Sequence, residues 1–381
     1  MAASPDPSPD AALGELFAFA AKQQSEATAP TQFRVLIRSS NWLGDAVMTV
    51  PAIRAIKRAR PGTCVTMLTP EKLADVWKLI PEVDEVISFP APEGRGLVRT
   101  WNGTRQIFKV AGLVRDRGFD VAVIFPNSLR TGLEAWLAKI PRRIGYAGHA
   151  PRGMFLNEIV PVEKYSEENP ATEPPPHQVH RYLKLAKLIG AVIDGERDLG
   201  FRIAKREASS PVRVAVCAGA EYGAAKRWLP DRFAEVIRNI SESTACHWHL
   251  VGTAKDHPVA AEIVTLAGNA SNVENQCGST TLAELIEVLK KCHLLVTNDT
   301  GTMHLAALLG VRTVAIFGST EPQLTGPLGS GHTVLRERVA CSPCFLRECP
   351  IDFRCMKAIE PATVIGAVRT ALGLKTTDAG K

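Results

Sequence analysis

From Phe33 onward, short apolar runs alternate with longer amphipathic stretches. The runs 34–38, 64–68, 85–89, 120–125 and 142–146 read as strands. Between them, 45–59 places Val47, Val50, Ile53 and Ile56 at helical spacing, and 71–80, 99–117 and 129–138 also read as helices. The run 120-DVAVIF-125 is apolar on both faces, as a strand covered on both sides must be. A second alternation follows, with strands expected over 212–219, 247–253, 293–299 and 311–318. Its helices are expected over 180–190, 231–242, 257–267, 281–291, 302–309 and 361–372. Strand–helix alternation on this scale predicts α/β architecture, with parallel sheets covered by helices. Residues 163–179 interrupt the pattern with charge and proline and read as a linker. Two domains are therefore expected, 33–179 including the linker and 180–381. They are preceded by a mobile extension over 1–32, whose short amphipathic patch at 13–21 has a docking helix as its sharper reading.

A length of 381 residues suits two domains, and 45% hydrophobic with 22% charged residues excludes a disordered or fibrous chain. Lys plus Arg exceed Asp plus Glu by 45 − 39 = 6, a mild basic excess. It suits an anionic ligand or a membrane surface and is too weak to imply nucleic acid. No apolar stretch approaches the roughly 20 residues of a spanning helix. The first residues carry Asp where a secretory signal carries Lys or Arg. A cytoplasmic protein is expected.

Ligands of parallel sheets bind beyond the carboxyl ends of the strands, so the strand-to-helix junctions are the places to look. The first, 38-RSSNWLGDAV-47, ends a strand in Arg38, Ser39, Ser40 and Asn41 before Gly44 and Asp45 open a helix. Asp45 reads either as a residue favoured by the free N–H groups of a helix start, or as a carboxylate base at a cleft mouth. The second, 217–233, offers small residues including Gly219 and Ala220, then Lys226 and Arg227 ahead of a helix. That pattern suits a diphosphate or, more plainly, a solvated loop. The third, 297-TNDTGTMHLAALLG-310, delivers Asp299, Thr300 and Gly301 to a helix N-terminus, with His304 one turn on. Its amides and the Thr300 hydroxyl could grip a phosphate, and a simple capping arrangement explains the same residues. A fourth junction carries Thr253, Lys255 and Asp256, suited to a base or ribose or to an ordinary loop.

Cys341, Cys344, Cys349 and Cys355 crowd into 15 residues. Four thiolates there could bind structural Zn2+ or an iron–sulfur cluster; reduced thiols, which need no metal, and disulfides are the other readings. No D-x-D triplet occurs, so a diphosphate would have to be stabilised by protein cations and helix dipoles, without a required catalytic cofactor.

Together these junctions resemble glycosyltransferase family 9, the ADP-heptose:lipopolysaccharide heptosyltransferases. The likeness spans about 33–373, through 37-IRSSNWLGDAVMTVPAIRAIKRARPG-62, 122–146, 177-HQVHRYLKLAKLIG-190 and 298–329. The segment 341-CSPCFLRECP-350 with Arg354, Cys355 and Met356 is similar to members of the heptosyltransferase II type. The resemblance implies a GT-B fold, two Rossmann-like domains facing across a cleft, the first for acceptor and the second for ADP-heptose. It implies an inverting transfer of heptose to the lipopolysaccharide inner core, heptosyl-Kdo2-lipid A being the expected acceptor, at the cytoplasmic face of the inner membrane. The family's catalytic aspartate falls on Asp45, its diphosphate lysine on Lys226 and its Asp-Thr-Gly…His motif on Asp299, Thr300, Gly301 and His304. Gly219, Ala220, Thr253, Lys255 and Asp256 would complete the donor site. Arg38, Ser39, Ser40, Asn41, Asn127 and Arg130 would meet the acceptor, whose anionic groups could also draw Arg142, Arg143 and Arg152. Another GT-B nucleotide-sugar enzyme and an idle nucleotide-sugar-binding module are the competing readings.

Overall fold

A computed structural model describes residues 32–92, 96–148, 151–161, 176–193, 199, 201–206 and 210–374. The expected extension, but for its last residue, and most of the expected linker lie outside these residues.

Two six-stranded, all-parallel sheets form the framework. The front sheet contains β1 (Arg34–Arg38), β2 (Cys64–Pro70), β3 (Glu85–Phe89), β4 (Val121–Ile124), β5 (Arg142–Tyr146) and β6 (Glu158–Val160), in the order β3-β2-β1-β4-β5-β6. The back sheet contains β7 (Val212–Cys217), β8 (Cys246–Leu250), β9 (Val273–Asn275), β10 (Leu294–Asn298), β11 (Arg312–Phe317) and β12 (Thr333–Arg336), in the order β12-β11-β10-β7-β8-β9. Each half is the Rossmann-like unit that the alternation predicts. The strand order reverses between β1 and β4 in front and between β7 and β10 behind, and such reversals open crevices for ligands.

The central strands are buried because helices cover both faces. Val35, Ile37, Val121 and Val123 in front, and Val214, Val216, Leu294 and Val296 behind, are fully buried. The three strands that the sequence pattern does not show, β6, β9 and β12, are three or four residues long and lie at sheet edges. Edge strands lack the apolar run that marks a strand covered on both faces.

The helix expected over 45–59 is two helices, Leu43–Met48 and Val50–Ala59. Pro51 has no N–H for the carbonyl four residues back, and Thr49 takes up the break by donating its hydroxyl to Ala46 O at 2.6 Å. The 71–80 stretch shortens to a 3-10 turn, Glu71–Leu73, and a single helical turn, Ala74–Trp77. The helix Val179–Lys187 packs against Val50–Ala59 of the front half.

Candidate active site

The carboxyl ends of β1, β7, β8 and β10 surround one cavity of about 750 Å³. Asp45 reaches it from the front half. Lys226, Thr253, Asp256, Asp299, Thr300, Gly301 and His304 reach it from the back half. Gly219 and Ala220 line it as well.

Asp45 stands one turn into the helix that follows β1, held by three donors. Gln178 Nε2 donates to Oδ1 at 2.9 Å, Tyr182 Oη to the same oxygen at 3.4 Å, and Ser40 Oγ to Oδ2 at 3.4 Å. Burial raises the Asp45 pKa, while the bonds from Tyr182, Ser40 and Gln178 and the charge of Lys226 pull the other way. A carboxylate poised above its ordinary range is a stronger proton acceptor than a free one.

Behind the cavity, Asn298 ends β10 fully buried. It donates through Nδ2 to Ala218 O at 2.7 Å and accepts from Trp228 N–H at 3.0 Å, which pins the loop carrying Lys226. Lys226 Nζ then meets Asp299 Oδ2 at 2.5 Å, and Thr320 Oγ1 donates to the same oxygen at 2.7 Å. The Tyr222 ring lies 4.8 Å from the ammonium. Thr300 caps the helix Gly301–Leu308 by accepting from Met303 N–H at 3.3 Å, so the amides of the first turn face the cavity mouth. Asp256 accepts from Thr253 N–H at 3.0 Å and Thr253 Oγ1 at 2.8 Å, and its Oδ1 lies 3.6 Å from Arg227 Nη2.

The two halves meet at two glycines. A Cβ on Gly44 would fall 2.8 Å from His304 Cδ2, and one on Gly301 2.9 Å from Leu43 Cβ and 3.1 Å from Gly44 N. Only glycine lets these helix starts close on each other. His304 lies in that seam, with its pKa lowered to about 4 chiefly by burial. Burial disfavours its protonated form.

The description "Glycosyltransferase family 9 (heptosyltransferase)" matches residues 107–353, well over half of the chain. The chain belongs to glycosyltransferase family 9. This transferase is 29% identical to lipopolysaccharide heptosyltransferase 2 of Escherichia coli K12 over 322 residues, covering 80% of the chain and 88% of that protein. It is 28% identical to lipooligosaccharide heptosyltransferase 2 of Haemophilus influenzae, covering 79% of the chain and 88% of the relative. Among solved structures it is similar to E. coli ADP-heptose lps heptosyltransferase II, with a TM-score of 0.70 at 25% identity over 89% of this chain and 98% of the other. The GT-B arrangement implied by the sequence resemblance is the fold observed.

The remaining sequence candidates of this glycosyltransferase lie off the cavity wall. Arg38 is buried, bonding Glu134 Oε2 through Nε at 2.8 Å and stacking on Phe89 at 4.7 Å. Arg130 holds the other oxygen of Glu134 at 2.8 Å. Arg142 pairs with Glu158 at 2.6 Å, Arg143 donates to Phe155 O at 2.8 Å, and buried Arg152 donates to Pro126 O at 2.7 Å and to Tyr146 O. Ser39 is buried and donates to Ser40 O, whereas Asn41, Asn127 and Lys255 are exposed. The arginines are engaged in holding the front half together. Conversely, Trp42, Lys72, Gln178, Tyr222 and Arg347 line the cavity without a signal in the sequence that marks them. The 177-HQVHRY-182 stretch inside a family motif is the nearest clue to one of them.

Among the described residues no three His, Cys, Asp or Glu side chains gather as a metal site, and all nine thiols are free. Cys355 joins the back core, and Cys349 Sγ accepts Phe353 N–H at 3.3 Å. Burial, with the neighbouring Cys341, Cys344 and Cys349 adding to it, raises the Cys355 pKa and favours the thiol. The loop reaches the cavity wall through Arg347. Phe345 O accepts Tyr222 Oη at 2.7 Å, Arg347 O accepts Ala225 N–H at 2.9 Å, and the Arg347 guanidinium covers the Tyr222 ring at 4.9 Å.

Proposed function

We propose that this glycosyltransferase moves heptose from ADP-heptose to the lipopolysaccharide inner core with inversion, working at the cytoplasmic face of the inner membrane on a heptosyl-Kdo2-lipid A acceptor. One observation carries the reading: a carboxylate from the front half and a lysine plus helix tip from the back half line one cavity. The names of similar proteins, lipopolysaccharide heptosyltransferase 2 and ADP-heptose lps heptosyltransferase II, supply donor and acceptor.

Asp45 accepts the proton of an acceptor hydroxyl. The oxygen attacks the anomeric carbon of the donor on the face opposite the diphosphate. The bond from that carbon to the diphosphate oxygen breaks, and ADP leaves with its electron pair. Lys226, held in place by Asp299, and the first amides of Gly301–Leu308 oppose the charge growing on the diphosphate. Each such donor in a dry site lowers the barrier by on the order of 3 kcal/mol. Asp45 and Lys226 are thus the catalytic pair. Thr300, Gly301 and His304 join Gly219, Ala220, Thr253 and Asp256 around the donor. Ser40, bonded to Asp45, is the acceptor-side residue best placed. Closure of the halves over the cavity keeps water from the donor.

Incubation with ADP-heptose and truncated cores of defined structure, followed by mass measurement of the glycolipid, tests the reading. One heptose should be added, and ADP should inhibit where UDP does not. Asp45→Ala should cut turnover at least about 100-fold while ADP-heptose binding by calorimetry stays within about threefold. Near-normal turnover of that variant would remove Asp45 as the base.

A further inference from the structure

Gln178 makes contacts that neither the donor nor the acceptor reading uses. Its backbone N–H bonds Leu324 O at 2.9 Å, on the turn that follows β11 in the back half, and the adjoining His177 Nε2 sits 3.0 Å from Gly326 O. Its side-chain amide turns the other way, toward Asp45 of the front half. Both hydrogens of Nε2 are used, one on Asp45 Oδ1 at 2.9 Å and one on Tyr182 Oη at 2.8 Å. Tyr182, packed edge-on against Phe125 at 5.2 Å, has its own hydroxyl hydrogen left for Asp45 Oδ1 at 3.4 Å. The three groups close a ring that binds one carboxylate oxygen only. The other oxygen, Oδ2, has among the described residues just the long contact from Ser40.

We propose that Gln178, with Tyr182, is a positioning residue for Asp45: it immobilises Oδ1 so that Oδ2 receives the proton, and it keeps the carboxylate ionised in its buried setting. The inference rests on the reading of Asp45 as the base. Because one residue grips the back half by its backbone and the base by its side chain, the base is aligned when the halves are together. The other groups facing Asp45 cannot replace this hold. Lys226 across the cavity favours the carboxylate by its charge and is bonded to Asp299. His304, on the helix packed against Leu43–Met48, has its charged form disfavoured by burial.

The test is the pH dependence of kcat/KM for the acceptor in Gln178→Leu, Gln178→Glu and Tyr182→Phe. Loss of a donor to a carboxylate makes it easier to protonate, so the acid limb should move to higher pH, by about one unit in Gln178→Leu. Gln178→Glu sets a second carboxyl against Oδ1 and should move the limb further. At pH 7.5, kcat of Gln178→Leu should fall about 10- to 100-fold, with the KM for ADP-heptose within about threefold. Tyr182→Phe should fall less and shift in the same direction. A uniform fall in activity with an unmoved acid limb in all three variants would assign Gln178 a purely structural part and overturn the inference. If Gln178→Leu unfolds, Gln178→Glu and Tyr182→Phe carry the same limb measurement. The outcomes separate from failure of the underlying reading, since Asp45→Ala retaining turnover would sink the base itself whatever Gln178 does.

Discussion

At the residue scale, the decisive number is the protonation state of Asp45. Its raised pKa has a consequence for stability opposite in sign to that of an ordinary paired carboxylate. The folded state binds the proton more readily than the unfolded chain. The stability linked to Asp45 is therefore present below the unfolded value near 3.9 and lost as pH rises through the raised one. At pH 8 the protein carries the cost of a buried charge at Asp45. Asp45→Asn, a neutral isostere, should raise Tm at pH 8 by about 1–3 °C. The gain should vanish as calorimetry is repeated toward pH 4, and a gain independent of pH would contradict this account. Asp45 could be singled out from its place after a strand and a Gly, and Lys226 and the 299–304 motif likewise. Arg38 could not be judged in that way. A terminal strand arginine looks like a ligand-binding residue until Glu134, 96 positions later, is found at 2.8 Å.

At the scale of elements, the site is built where two short helices touch end to end. Leu43–Met48 carries Asp45, and Gly301–Leu308 begins at the same cavity. Their approach depends on Gly44 and Gly301. At Gly301 the obstacles to a side chain are the Gly44 backbone and the root of Leu43, which cannot swing aside. Gly301→Ala should therefore part the helices and lower kcat by about tenfold or more, with far-UV circular dichroism unchanged. Wild-type turnover in that variant would show that this closeness is dispensable. Helices and central strands were legible from their periodicity. The break at Thr49 was foreshadowed only by Pro51, and the edge strands β6, β9 and β12 were not legible because three or four half-covered residues carry too little pattern.

At the scale of the whole molecule, Arg34–Lys381 forms one compact unit in which the two sheets share the cavity. Two histidines, His304 buried and His332 partly buried, make that unit sensitive to acid. His304 and His332 both have pKa values lowered to about 4, burial being the first cause. An imidazole depressed by folding stabilises above its unfolded value near 6.5, and that stability is lost as pH falls from there through about 4. Urea midpoints should thus decline between pH 6.5 and 4.5, opposite in direction to the smaller Asp45 effect. His332→Gln, away from the cavity wall, should make the decline shallower, and an unchanged slope would mean that its burial costs nothing. The sequence by itself determined the layered architecture and the strand ends that bear polar chemistry, because hydrophobic periodicity and turn residues are local properties of the chain. Only the tertiary structure decided which of those polar residues share a cavity, which arginines are consumed by buried partners, and that Gln178 reaches Asp45 across 133 positions. Such pairings depend on where distant segments come to rest, and no local pattern encodes that.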